Sequence, residues 1–166
     1  PTLKPRKITR ETLHRDTVVD DVLIPNFREI TDRDKNKFMK DSYSEIIDYL
    51  TELAEQTKQK NFSFDYDIDV VTNKKHIIRF YINDMEKHAI KMWLDSRFSK
   101  QENILLSYGR FGIDSDNSSN EMIICELTEK KELTLKMTMN MFGNRDVKSA
   151  REISIEIWKQ ILQFIK

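Results

Sequence analysis

The sequence predicts an α+β fold: an N-terminal helix, a six-stranded antiparallel meander sheet and a C-terminal helix, with both helices on one face of a curved sheet. Three observations predict it. Apolar residues recur at three- and four-residue spacing near both ends of the chain, they alternate with polar residues in between, and the breaks between the alternating runs are too short for parallel crossovers.

The first helix begins at Thr31-Asp32-Arg33-Asp34, where a hydroxyl is followed three residues later by an acid, as in a capping box. Phe38, Met39, Tyr43, Ile46, Ile47, Leu50, Leu53 and Ala54 then share one helical face until Lys60-Asn61 closes the run. Beyond it the period drops to two, the mark of strands with one covered face. Leu133 to Met141 is the clearest run, with five apolar residues interleaved with Thr134, Lys136, Thr138 and Asn140. Strands are expected near 62–71, 75–82, 86–94, 103–109, 120–127 and 132–142, with turns such as Thr72-Asn73-Lys74, Asn83-Asp84 and Glu129-Lys130. Ser149-Ala150-Arg151-Glu152 is a second capping box, and Ile153, Ile157, Ile161, Leu162 and Ile165 give the closing helix its apolar face. Trp93, ending the third strand, and Trp158, on that helix, are expected to meet in one core.

A chain of 166 residues suits one domain, since that length buries roughly 70% of its unfolded surface. Residues 1–30 read as a basic arm or interdomain linker and 31–166 as a single α+β domain. The three prolines fall in the first 25 residues, and up to Thr17 five Lys/Arg stand against two Asp/Glu without an apolar stripe. The 28 basic and 28 acidic residues cancel, which disfavours nucleic acid or an anionic membrane as partner. Cys125 sits in the apolar run Met122-Ile123-Ile124-Cys125 and reads as a buried thiol in a reducing compartment. No run approaches the roughly 18 apolar residues of a membrane span, so the expected location is cytoplasmic.

Asp65, Asp67 and Asp69 alternate with Phe64, Tyr66, Ile68 and Val70 and invite a metal reading, which geometry disfavours. Successive residues on one strand face stand about 6.5 to 7 Å apart, whereas calcium takes oxygens at about 2.3 to 2.6 Å. The aspartates are expected to face water beside Arg79, with Phe62, Phe64, Tyr66, Ile68 and Val70 facing the core. His14, His76 and His88 lack metal-ligand spacing, and His76 and His88 fall in strands where surface or cross-strand imidazoles are commonest. Met137, Met139 and Met141 read as adaptable core packing. No nucleophile elbow, phosphate-binding glycine loop or supported Cys-His pair occurs, so no catalytic residue, metal or cofactor is expected.

The remaining polar group is Ser107-Tyr108-Gly109-Arg110 followed by Gly112 to Glu121. A run of Gly, Ser, Asn and Asp is first of all a loop joining two strands. Read functionally, Ser107, Tyr108, Arg110, Asn120 and Glu121 form a candidate site for a small polar ligand, with Tyr108, Arg110, Asn120 and Glu121 converging at one sheet edge.

At these residues the chain resembles the C-terminal domain that follows the toll/interleukin-1 receptor (TIR) domain in a group of bacterial proteins. Thr31-Asp32-Arg33-Asp34, Ile90-Lys91-Met92-Trp93-Leu94, Ile104-Leu105-Leu106-Ser107-Tyr108, Ser119-Asn120-Glu121 and Ile157-Trp158 carry the resemblance, which spans about residues 25 to 165. Gly112 to Ser118 departs from it, being longer and more polar than a tight turn. The resemblance implies an accessory domain with a sensing, assembly or regulatory role in antiviral defence, a TIR domain in cis or another protein as partner, and a place for homo-oligomers. NAD cleavage would belong to the TIR domain. The alternatives are a small enzyme using Ser107, Tyr108, Arg110 and Glu121, with Glu121 as general base, and a plain interaction domain.

Overall fold

The computed structural model describes residues 29–109, 112–139 and 146–166. Helix α1 (Asp32–Lys60) is followed by strands β1 (Phe64–Thr72), β2 (Lys75–Ile82), β3 (Met85–Asp95), β4 (Asn103–Tyr108), β5 (Glu121–Leu127) and β6 (Leu133–Met137), and helix α2 (Ala150–Ile165) closes the domain. The strands form one antiparallel sheet in sequence order, which is the meander that the sequence predicts. The expected arm, residues 1–30, lies outside the described residues except for Glu29 and Ile30.

Local chemistry sets both helix starts. The Thr31 hydroxyl accepts the Asp34 N–H while Asp34 accepts the Thr31 N–H, and Ser149 and Glu152 repeat this reciprocal box on α2. Both helices lay their apolar stripes on one face of the sheet. Tyr43, Ile46 and Leu50 of α1 and Ile153, Ile157 and Ile161 of α2 meet Ile78, Phe80, Ile90, Met92, Ile104, Leu106 and Ile123 in one buried cluster. Tyr43 adds a polar tie within it. Its hydroxyl donates to the Met92 carbonyl at 2.9 Å, so its contact with His76 Nδ1 at 2.7 Å requires that nitrogen to carry the proton.

Trp158 packs edge-on against Phe64 and Phe80, at 6.4 and 5.9 Å between ring centres. Trp93 does not join it. In β3, Ile90, Met92 and Leu94 point toward the helices, so Trp93 turns to the opposite face, where it is buried beside Lys91 and pairs in register with Leu105 and Lys75. The expectation of one shared tryptophan core therefore fails on strand parity. Phe62 is a second correction: it lies just before β1 and is fully exposed, and Val70 is exposed as well.

The aspartates of β1 face outward, each with its own partner. Asp65 pairs with Lys58, Asp69 with Arg79, and Asp67 with the Tyr81 hydroxyl. Among the described residues no three His, Cys, Asp or Glu side chains stand close enough to hold one ion. Asp67 is opposite Arg79 because Val71 bulges out of the β1–β2 ladder. The five residues between the paired Val70 and His76 then close through a two-residue turn while keeping the apolar parity.

Strand β6 ends at Met137, five residues before the end expected near 142. The Thr138 N–H is shared between the Met122 carbonyl of β5 at 2.9 Å and the Glu121 carboxylate at 3.0 Å, the Met139 N–H donates to the same carboxylate, Met139 is exposed, and Met141 lies outside the described residues. Cys125 sits half-buried against the helix-side core, and desolvation raises its pKa, keeping it a thiol. No helix among the described residues is long and apolar enough to cross a membrane.

Desolvation lowers the pKa of both His76 and His88 from the ordinary 6.5. As pH falls through 6.5 the unfolded chain takes up protons first, so stability present above that value is lost below it. Melting temperature is expected to fall from about pH 7 to about pH 5, and His88→Phe, which keeps a ring in place, is expected to flatten the slope. An unchanged slope in that variant would assign the loss to other groups.

Candidate functional site

The two faces of β4 separate the polar residues that the sequence groups together. Tyr108 follows Ser107 directly, so Ser107 points away from the helices while Tyr108 points toward them. Asn120 joins Tyr108 through backbone contacts: its Oδ1 accepts the Tyr108 N–H at 2.8 Å and its own N–H donates to the Leu106 carbonyl at 2.7 Å. Glu121 opens β5 opposite Leu106. Tyr108, Asn120 and Glu121 are thus brought together, Ser107 is not, and Arg110 lies outside the described residues. They meet in the middle of the sheet, at the β4–β5 junction.

On the helix side, Glu121 has no solvent exposure. Its Oε1 accepts three backbone N–H groups, from Met122 at 2.9 Å, Thr138 at 3.0 Å and Met139 at 2.8 Å, which fixes the carboxylate and ends β6. Its Oε2 has no hydrogen-bond partner among the described residues. Across Tyr108 on the β3 side stands His88, 4% exposed, whose Nε2 likewise has none. The His88 ring lies almost parallel to Tyr108 at 6.2 Å and to Phe164 of α2 at 4.4 Å. Burial, reinforced by the nearby Glu121 charge, raises the Tyr108 pKa and keeps its hydroxyl protonated. Burial also favours neutral His88. The result is an anionic acceptor, a phenol and a neutral imidazole on one side of the sheet, among aromatic rings.

The sequence reading missed His88 and Phe164. The signal for His88 was present, because His88, Ile90, Met92 and Leu94 alternate in one series and an imidazole in phase with core residues faces the core. Phe164 carries no such mark, since an aromatic late in an amphipathic helix reads as ordinary packing.

On the far side a second constellation forms. The segment from Gly112 to Asn120 folds back across the sheet, and Lys91, 1% exposed, reaches up from β3 to hold it. The Lys91 ammonium donates to the Ile113 and Ser115 carbonyls at 3.0 and 2.5 Å and to Asp116 Oδ1 at 3.1 Å, and it lies 4.7 Å from the Trp93 ring centre. Lys75 also pairs with Asp116, the two lysines depressing the pKa of that carboxyl, and Arg97 donates to the Asp116 carbonyl at 2.6 Å. Ser107 donates to the Ser118 carbonyl at 2.8 Å. The strap lies so close that a Cβ on Gly112 would sit 3.0 Å from the Ser107 Cβ. Every contact here is internal, so this constellation fastens a loop.

Residues 65–163 match the sequence profile of the Y4lF protein domain. The match runs from β1 almost to the end of α2 and includes His88, Tyr108 and Glu121. No curated protein and no solved structure matches the chain.

Proposed function

The chain belongs to the Y4lF protein domain family, and from the geometry of the site we propose that it is a non-catalytic sensing and regulatory domain. We place it as the accessory part of a bacterial, cytoplasmic TIR-type defence protein. The observation that carries the sensing role is the pair of buried, unpartnered polar atoms, Glu121 Oε2 and His88 Nε2, on either side of Tyr108. Buried polar groups are nearly always hydrogen-bonded, and leaving one open costs about 1–3 kcal/mol. A ligand supplying the missing partners would recover that cost and stabilise the site. The assignment to a TIR-type protein rests on the sequence patterns around Thr31, Ile90, Ile104, Ser119 and Ile157, and the defence role follows from it.

The enzyme alternative is weaker on geometry. Glu121 Oε1 is already committed to three N–H groups, and Ser107, the one aliphatic hydroxyl in the proposed set, lies across the sheet from it. Native mass spectrometry of the purified chain after incubation with cell extract is expected to show a retained small molecule, and NAD incubated with the chain is expected to remain intact. Oligomers that retain no metabolite would favour an assembly role. NAD loss abolished by Glu121→Gln would favour the enzyme.

A further inference from the structure

We propose that the cluster of Glu121, Tyr108 and His88 recognises a small flat organic cation bearing N–H donors, of the amidinium or guanidinium class. The proposal deepens the sensing reading and rests on it. Glu121 Oε2 needs a donor, and among the described residues no Lys or Arg is paired with this carboxylate. A buried carboxylate without a counter-charge is among the costliest arrangements in a protein interior, so the strongest available partner is a cation that brings its own N–H groups. Planarity follows from the neighbours. The Tyr108, His88 and Phe164 rings lie nearly parallel to one another, so that a flat delocalised cation taking the place of the Phe164 ring would stack on the His88 face. Neutral His88 adds no repulsion and presents Nε2 as a further polar partner. Phosphates, nucleotides and carboxylic acids are disfavoured, because their charge would face the Glu121 carboxylate without an intervening cation.

Access comes from α2. Phe164 is 51% exposed and lies outside the main apolar cluster, yet it covers the buried His88 ring. Rotating it away uncovers His88 while Ile153, Ile157 and Ile161 stay packed.

The test uses shape-matched probes on the full chain: benzamidine, benzamide and benzoate, with methylguanidinium as a smaller cation. Benzamidine and methylguanidinium are expected to raise the melting temperature with concentration, as a ligand specific to the folded state must, and benzoate is expected to leave it unchanged. Amide shifts of Tyr108, Glu121 and Met122 are expected to move on titration with benzamidine. Glu121→Gln keeps a carbonyl oxygen for the three backbone N–H groups and is expected to raise the benzamidine Kd about tenfold or more. Phe164→Ala, at an exposed position, provides a second folded variant in which the cation still shifts the Glu121 amide. Equal stabilisation by benzoate or benzamide, or silence of both cations at these amides, would overturn the proposal. If the cations are silent while the chain retains an anionic or neutral metabolite from extract, the cation class falls and sensing survives. If nothing is retained either, both fall.

Discussion

Replacing Trp158 by Ala is expected to cost about 3–5 kcal/mol, a large share of the roughly 5–15 kcal/mol that holds a domain of this size together. The indole is 8% exposed and stands at the crossing of α2 with the sheet, edge-on to both Phe64 and Phe80. Truncation removes the ring's burial and also leaves a cavity that neither neighbour can fill, because Phe64 is tied into β1 and Phe80 into β2, and their backbones are held by the ladder. Edge-to-face contacts add about 0.5–1.5 kcal/mol per aromatic pair. Urea denaturation measures the loss directly, and near-ultraviolet circular dichroism is expected to lose the signal of the coupled rings. A variant that keeps the wild-type midpoint while losing a bound molecule would make Trp158 a binding residue.

The elements of this fold were legible because their signals are local. Two reciprocal caps mark where α1 and α2 begin, and the short breaks after β1, β2, β3 and β5 allow only antiparallel neighbours. Facing was legible only where a strand is covered on one side. In β1 the aspartates alternate with apolar residues and the outward face is plain. In β3 and β4, by contrast, Ala89 to Trp93 and Ile104 to Ser107 are buried without a break. Such runs mean cover on both faces, and nothing in the letters of β3 says that the second cover is a polar segment twenty residues further on. That is why Trp93 was assigned to the wrong side. Lys91, in the middle of the run, was the available clue, since an ammonium there must meet acceptors from somewhere.

The candidate site was legible in part for the same reason. Tyr108, Asn120 and Glu121 lie at the facing ends of consecutive strands, and a meander brings such ends together. Ser107 was grouped with them by sequence proximity, which in a strand guarantees the opposite face. His88 and Phe164 join through pairings between distant segments, and Glu121 ends β6 by accepting N–H groups from residues seventeen and eighteen positions away. Contacts of that range depend on register, which short motifs do not encode.

Lys91→Met is expected to cost about 3 kcal/mol and to release the segment from Gly112 to Asn120. Two effects oppose each other here. Replacing a buried charge with an apolar side chain of similar length removes a desolvation penalty, and substitutions of complete ion pairs are often neutral or stabilising. Removal of Lys91 alone is different, because the ammonium serves three oxygens. Asp116 is half-exposed and keeps Lys75, so it loses little, but the Ile113 and Ser115 carbonyls face a sheet on which Leu105 and Ile77 carry no donor and the Trp93 indole N–H is directed at Asp95. The orphaned carbonyls therefore decide the sign, and they can recover solvation only if the strap lifts from the sheet. Chemical denaturation is expected to show the loss, and hydrogen exchange to show faster exchange across 112–120 with β3 and β4 still protected. Asp116→Asn, which leaves both carbonyl contacts to Lys91 in place, is expected to have the smaller effect. If Lys91→Met instead keeps wild-type stability and slow exchange in 112–120, the strap is held by the Ser107–Ser118 bond and the Gly112 approach, and the buried lysine is dispensable to it.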